Sequence, residues 1–213
     1  MAGSGELFHH IAVSTARAAA GFALGGIIGF VFGLLNGVST TATRLLNSSF
    51  QMIRNVPHLA LIPLFILWFG IDERAKLYLV ALGVFFPIYL NTYHGARTVD
   101  AGLIEMGRVY GLTRAQLFHQ VIFPGALPSI LVGVRFALGI MWLTLIVAET
   151  IAASSGIGYM TMNAREFLQT DVVVLGILIY ALLGKLADVA TVWLERRCLS
   201  WHPAFAVSGA EAR

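Results

Sequence analysis

Residues 18–35 read AAAGFALGGIIGFVFGLL, a run with no charged side chain that lies between Arg17 and the next cation, Arg44. A helix needs about 20 consecutive apolar residues to cross the hydrocarbon core of a bilayer. A strand of a transmembrane β-barrel would instead alternate polar and apolar residues over about 10 positions. The stretch therefore predicts a membrane-spanning α-helix.

The composition of the whole chain agrees with this interpretation. Hydrophobic residues make up 58% of the 213 residues and charged residues 12%, against roughly 45–50% and about 25% in soluble domains. The mean hydropathy is +0.80. These values exclude a disordered chain, a nucleic-acid-binding domain and almost any soluble enzyme. The single cysteine, Cys198, cannot form an internal disulfide.

Four further apolar stretches complete a set of five predicted helices. The fourth contains Arg135, and the fifth contains Lys185 and Asp188. We expect an all-α integral membrane protein with a short N-terminal segment (1–9), a transmembrane domain (10–195) and a C-terminal tail (196–213). The predicted spans are 18–36, 56–70, 77–94, 129–148 and 172–194.

The cations predict the orientation of these helices. The segments 36–55 and 95–128 and the C-terminal tail together carry eight Lys and Arg residues, whereas the opposite side carries four cations and most of the acids. Segments rich in Lys and Arg stay in the cytoplasm. The C-terminus is therefore predicted inside and the N-terminus outside. Since no signal peptide is visible, this N-out start suggests that a preceding span is missing or that the first codon is internal to a longer gene product.

Glycine recurs at every fourth position of the first predicted span. Residues four apart fall on one stripe of a helix, and small residues on such a stripe let a second helix approach closely in lipid. We expect this stripe to serve helix packing. Its members are Gly21, Gly25, Gly29, Gly33 and Gly37.

Polar residues inside or beside the spans are candidates for a translocation path, because such residues are costly in lipid. Arg135 either lines a path or extends its side chain to the interface. Lys185 and Asp188 lie three residues apart and can form a structural pair with no net charge. In the external loop, three polar residues either meet a partner or line the outer mouth: Asn163, Arg165 and Glu166.

The segment 95–128, GARTVDAGLIEMGRVYGLTRAQLFHQVIFPGALP, is long for a connection in so short a chain. Its sequence predicts two short helices that meet at Gly111, the second capped by Thr113 and ended by Pro124 and Pro128. It is either an amphipathic connector on the membrane surface or a docking element for a cytoplasmic partner.

This segment resembles the cytoplasmic signature of binding-protein-dependent ABC importer permeases, which is E-A-A, three residues, G, nine residues, then I-x-L-P. The Glu, the Gly, the Pro and both spacings agree, whereas a Met and a Gly replace the two alanines and a Val and a Phe replace the Ile and the Leu. The matching positions are Glu105, Met106, Gly107, Gly111, Val121, Phe123 and Pro124.

The stretches 55–71, 86–95, 135–174 and 180–189 are similar to the nitrate/sulfonate/taurine branch of these permeases, and most to aliphatic-sulfonate permeases. The resemblance implies a type I ABC importer transmembrane core of five helices, without the extra N-terminal helix that family members usually carry. It also implies a homodimer in the bacterial inner membrane, a role in sulfur acquisition, and a periplasmic binding protein that delivers the substrate.

The same resemblance makes the 105–124 loop the coupling element for two cytoplasmic ATPase subunits. ATP then binds those partners, and this chain is a transport subunit rather than an enzyme. No phosphate-binding loop, HExxH motif or paired Cys or Cys/His set occurs in the sequence, so we expect no cofactor or metal in this chain.

Two other functions compete with the ABC permease. A gradient-driven secondary transporter or channel often shows internal repeats and intramembrane carboxylates, yet no repeat is visible and Asp188 is the one clear intramembrane acid. A membrane scaffold explains the glycine stripe but not the long loop. Taurine, an alkanesulfonate, nitrate or a thiamine-precursor-like solute all remain open as substrates.

Overall fold

The computed structural model describes residues 5–201, and the predicted terminal segments 1–9 and 196–213 lie partly outside that range. The described chain is built of helices, as predicted. The helices are α1 (Glu6–Val38), α2 (Thr40–Arg54), a 3-10 turn (His58–Leu61), α3 (Ile62–Phe69), α4 (Glu73–Arg97), α5 (Ala101–Val109), α6 (Arg114–Leu117), a π-helical turn (Phe118–Ile122), α7 (Phe123–Ala152), α8 (Ile157–Glu166) and α9 (Thr170–Cys198).

Helices α1 and α4 pack side by side along the glycine stripe. A Cβ atom on Gly29 would lie 2.6 Å from the Phe85 carbonyl oxygen, and one on Gly33 would lie 2.8 Å from that of Tyr89. The other stripe residues also face α4: Gly21 lies against Val80, Gly25 lies against Ala81 and Gly37 lies against Ala96. Residue numbers rise together along both helices, so α1 and α4 run parallel.

Helix α7 runs antiparallel to α4, and α9 runs antiparallel to α7. Gly95 of α4 abuts Ala126, whereas Gly83 abuts Thr144. Along α9, Asp188 meets α7 near its start and Tyr180 meets it nearer its end. The last residues of α1, α4 and α9 therefore share one end of the molecule with α5 and α6, which we call the loop end.

The second span differs from the prediction of one helix over 56–70. Because α1 and α4 are parallel, the chain between them must return across the membrane. It does so through α2, the 3-10 turn and α3, with a bend of 80° at the break. Residues 36–55 are therefore not a connecting loop, and Arg54 lies away from the loop end. Pro57, which has no backbone N–H, stands at this break.

The prolines near residue 125 do not end a helix, contrary to the prediction. Pro124 follows the π-helical turn directly, in the first turn of α7, and Pro128 lies inside that helix. Residues 114–151 accordingly form one continuous apolar helical stretch. The segment between α7 and α9 contains a further helix, α8, which the predicted spans did not include.

Candidate functional site

The helical loop, residues 98–122, is a compact pair of short helices. The Asp100 side chain caps α5 by accepting the Gly102 N–H (2.7 Å). Gly111 has φ of +77°, in the left-handed region that favours glycine. Thr113 and Gln116 then form a capping box at the start of α6. The turn at Gly111 and the Thr113 cap lie where the sequence places them.

The two short helices pack on each other through Gly107. A Cβ atom there would lie 2.8 Å from the Leu117 side chain and 3.2 Å from that of Leu112. Leu117 is buried by this contact. The apolar face that the sequence predicts around Leu117 is thus used within the loop.

A second apolar surface of the loop faces outward, along α5. Val109 is 86% exposed and Tyr110 is 79% exposed, and Leu103 and Met106 lie on the same side of the helix. Glu105 is exposed in the middle of α5 and does not cap it. It makes no hydrogen bond or ion pair with another described residue. We call Leu103, Met106, Val109 and Tyr110 the α5 surface.

The end of the signature connects this loop to the transmembrane helices. Phe123 packs against Phe30 of α1, with ring centroids 6.5 Å apart, and against Phe118 of the π-helical turn. Val121 lies on the inner side, 3.8 Å from the Cβ position of Gly107. The loop is therefore joined to both α7 and α1 without a flexible linker.

The predicted Lys185–Asp188 pair is part of a larger group. Asp188 accepts from Arg135 at 2.8 Å, whereas Lys185 is 3.6 Å away. The three charges sum to +1 rather than zero. Arg135 and Asp188 border a cleft of about 490 Å³ between α7 and α9, which Trp142 and Glu195 also line.

The four candidate path residues do not meet. Asn163, Arg165 and Glu166 are exposed on α8, beyond the end of α7. Arg135 lies 17 residues before the last residue of α7, which is about 25 Å of helix. Arg135 therefore belongs to the α7–α9 cleft, and the other three to the end opposite the loop.

Residues 23–200 match the family model described as the binding-protein-dependent transport system inner membrane component. The chain belongs to this family. It is thus an integral membrane permease of the binding-protein-dependent ABC importer type, a transport subunit rather than an enzyme.

The relatives place this permease near the sulfonate branch of the family. It is 65% identical to the putative aliphatic sulfonates transport permease protein SsuC of Escherichia coli, covering 96% of this chain and 78% of that protein. It is 39% identical to the taurine transport system permease protein TauC of the same species, over 92% and 71% of the two chains. A solved amino acid ABC transporter shares the fold, with a TM-score of 0.72 at 19% identity over 91% and 94% of the chains.

Sequence reasoning missed a buried charge cluster of this permease at the end opposite the loop. Glu149 is 1% exposed and Arg17 is 7% exposed, and their side chains pair at 2.8 Å. Arg17 also pairs with Glu73, which holds the buried Lys76 at 2.7 Å. Two cations and two carboxylates therefore compensate each other, with the exposed Glu73 at the edge of the cluster.

The same cluster holds the start of α8. Glu149 accepts hydrogen bonds from the Ser14 hydroxyl (2.8 Å), the Gly158 N–H (3.0 Å) and the Tyr180 hydroxyl (3.2 Å). The Ser14 oxygen in turn accepts the Ile157 N–H at 2.8 Å. In the sequence, Arg17 precedes the first apolar stretch and Glu149 follows the predicted span 129–148, and neither position indicates a contact between them. The sequence does carry one signal for this pair: Arg17 and Glu149 each flank a predicted span, and both lie on the same predicted side of the membrane.

Proposed function

We propose that this permease imports an aliphatic sulfonate or a related small anion, driven by ATP hydrolysis on two ATPase subunits that dock on the 105–124 loop. A second copy completes the translocation path, and a periplasmic binding protein delivers the substrate. The observation that carries this proposal is the α5 surface: an apolar face held out from the membrane helices on a rigid two-helix support.

The surroundings of the α5 surface favour a protein partner over the lipid surface. Its rim carries charges of both signs, with Glu105 and Arg108 on the same short helix. An apolar centre within a polar rim is the usual anatomy of a protein interface. A helix that binds the membrane surface carries mainly cations on its polar face.

The distribution of charge supports an inner-membrane orientation with the loop end in the cytoplasm. That end carries six cations, and Arg54 no longer belongs to the group. They are Arg44, Arg97, Arg108, Arg114, Arg196 and Arg197. The opposite end carries the acids Glu73, Glu149 and Glu166. By the positive-inside rule, the C-terminus of α9 is then cytoplasmic and the start of α1 is periplasmic.

The higher identity to a sulfonate permease than to a taurine permease supports an aliphatic sulfonate as the substrate. Uptake of radiolabelled alkanesulfonate, taurine and nitrate by the reconstituted importer tests this choice. Alkanesulfonate is expected to be transported fastest. Transport of nitrate or taurine alone would contradict the assignment of the substrate while leaving the importer intact.

Copurification tests the docking of the ATPase. We would purify the tagged chain in mild detergent after coexpression with the ATPase subunit of the same transport system. The double substitution Val109→Lys and Tyr110→Lys is expected to release the ATPase, because it places cations in the α5 surface. Phe167→Lys is the matched control, since Phe167 is 68% exposed at the opposite end.

The competing function predicts a different outcome. A chain that purifies without the ATPase and transports alkanesulfonate in ATP-free proteoliposomes is a gradient-driven transporter. ATPase binding that survives the double substitution would show that docking does not use the α5 surface.

A further inference from the structure

The end of α2 lies at mid-depth in the helix bundle. Phe50 packs against Phe32 of α1 and Phe85 of α4, with ring centroids 5.5 and 5.6 Å apart. Phe85 is the central residue of the 25-residue helix α4, about 18 Å from either end. Arg54 follows one helical turn after Phe50 and ends α2. Its backbone therefore lies about 12 Å from the start of α4 and about 24 Å from its end, which is roughly two and four turns of helix.

One face of α2 is polar along its whole length. Arg44, Ser48, Gln51 and Asn55 follow one another at helical spacing, and Arg54, four residues after Phe50, lies at the border between this face and the packed face. Apart from the half-buried Gln51, these residues are exposed, and their side chains make no hydrogen bond or ion pair with another described residue. We call these five residues the α2 stripe. The opposite face, with Phe50, packs against α1 and α4.

The α2 stripe is incompatible with contact to lipid at that depth. A charged side chain near the centre of a bilayer is costly and almost always faces a bundle interior or a water-filled cavity. The break at residues 55–57 adds irregular backbone, which at membrane depth occurs where it is buried in protein or lines water.

The charge around the stripe favours an anion. Between Glu6 and Asp72 the sequence contains no Asp or Glu, so no acid on α1, α2 or α3 after Glu6 neutralises Arg44 or Arg54. A guanidinium binds an oxyanion through two parallel N–H donors. We infer that the α2 stripe lines the translocation path and that Arg54 binds the oxyanion group of the substrate at mid-depth. This inference rests on the proposed function and names the contact that selects an anion.

The only native cysteine, Cys198, makes the test direct. In a Cys198→Ser background, Ser48→Cys places a thiol on the stripe, and Leu67→Cys places one on α3, where Leu67 is 79% exposed but next to apolar residues. The assembled importer in proteoliposomes is treated with methanethiosulfonate reagents that carry either a sulfonate or a quaternary ammonium. The thiol at position 48 is expected to react, faster with the sulfonate reagent, and the thiol at position 67 is expected to stay unreactive.

Substitution of Arg54 then measures its contribution. Arg54→Gln is expected to remove the preference of the position-48 thiol for the sulfonate reagent. It is also expected to lower alkanesulfonate uptake about tenfold or more, the loss expected for one charge-assisted hydrogen bond. Arg54→Lys keeps the charge and is expected to retain part of the reagent preference and part of the alkanesulfonate uptake. Arg74→Gln is the matched control, because Arg74 is an exposed cation at the start of α4.

Three outcomes would overturn the inference. A position-48 thiol that resists both reagents is covered by lipid or by the second copy. Equal reaction with both reagents shows that the stripe does not select by charge. Unchanged uptake in Arg54→Gln shows that the guanidinium does not bind substrate. If the ATPase copurifies with each variant in the same preparations, these failures leave the proposed function standing.

Discussion

Removing the Glu149 carboxylate is the sharpest test of the buried charge cluster. Glu149→Ala leaves Arg17 with only the more exposed Glu73 as an acidic partner, and it leaves the Gly158 N–H without an acceptor. Breaking a buried ion pair by deleting one member costs about 3–5 kcal/mol, because the other charge stays buried. In a chain of this size 1 kcal/mol shifts the melting temperature by about 2–4 °C. The expected loss is therefore roughly 6–20 °C.

Thermal unfolding of the purified protein in detergent, followed by tryptophan fluorescence, measures this loss. Glu166→Ala is the matched control, since Glu166 is an exposed acid at the same end of the molecule and its removal is expected to cost less than about 0.5 kcal/mol. The reasoning fails if the melting temperature of Glu149→Ala lies within about 1–2 °C of that of the control.

Two smaller predictions concern helix packing and capping. Gly29→Val is expected to destabilise the protein by about 1–3 kcal/mol, because its Cβ would meet the Phe85 carbonyl oxygen at 2.6 Å. The matched variant Gly139→Ala, with open space around its Cβ, is expected to be neutral or stabilising in the same melting assay. Equal melting temperatures of the two variants would contradict the packing argument. Thr113→Ala removes the capping box of α6 and is expected to cost about 1 kcal/mol. Faster hydrogen exchange at the Gln116 amide measures that loss, and unchanged exchange would show that the cap does not hold α6.

The sequence predicted the helices whose whole length is apolar and failed where one helix is half polar. Four spans are apolar along most of their length, and the structure places a helix over each. The second span is different, because α2 carries Arg44, Gln51 and Arg54 on one face. The uncharged stretch begins only after Arg54, so the sequence predicts a span from residue 56 and a loop over the residues of α2. The parallel contact of α1 with α4, which reveals the crossing, is a tertiary fact.

The helical loop was easier to predict than the charge cluster, for a physical reason. Gly111 and Thr113 act on their own neighbours, through a left-handed turn and a local cap, so their effect follows from sequence spacing. Arg17 and Glu149 are 132 residues apart and meet only after α1, α4 and α7 have packed. No local pattern gives that contact. The same holds for Arg135, whose partner Asp188 comes from α9.

The packing divides the transmembrane helices into a stiff block and a loosely held element. Helices α1, α4 and α7 meet at backbone distance along glycines, and the charge cluster ties them together at one end. The helical loop continues directly into α7. By contrast, none of the residues of α2 is buried, and an irregular break separates it from α3. Few buried contacts are the mark of segments that move at low cost in free energy. The break that follows Arg54 therefore lies in a loosely constrained part of the bundle, where a bound anion must offset the conformational entropy lost when the chain is ordered.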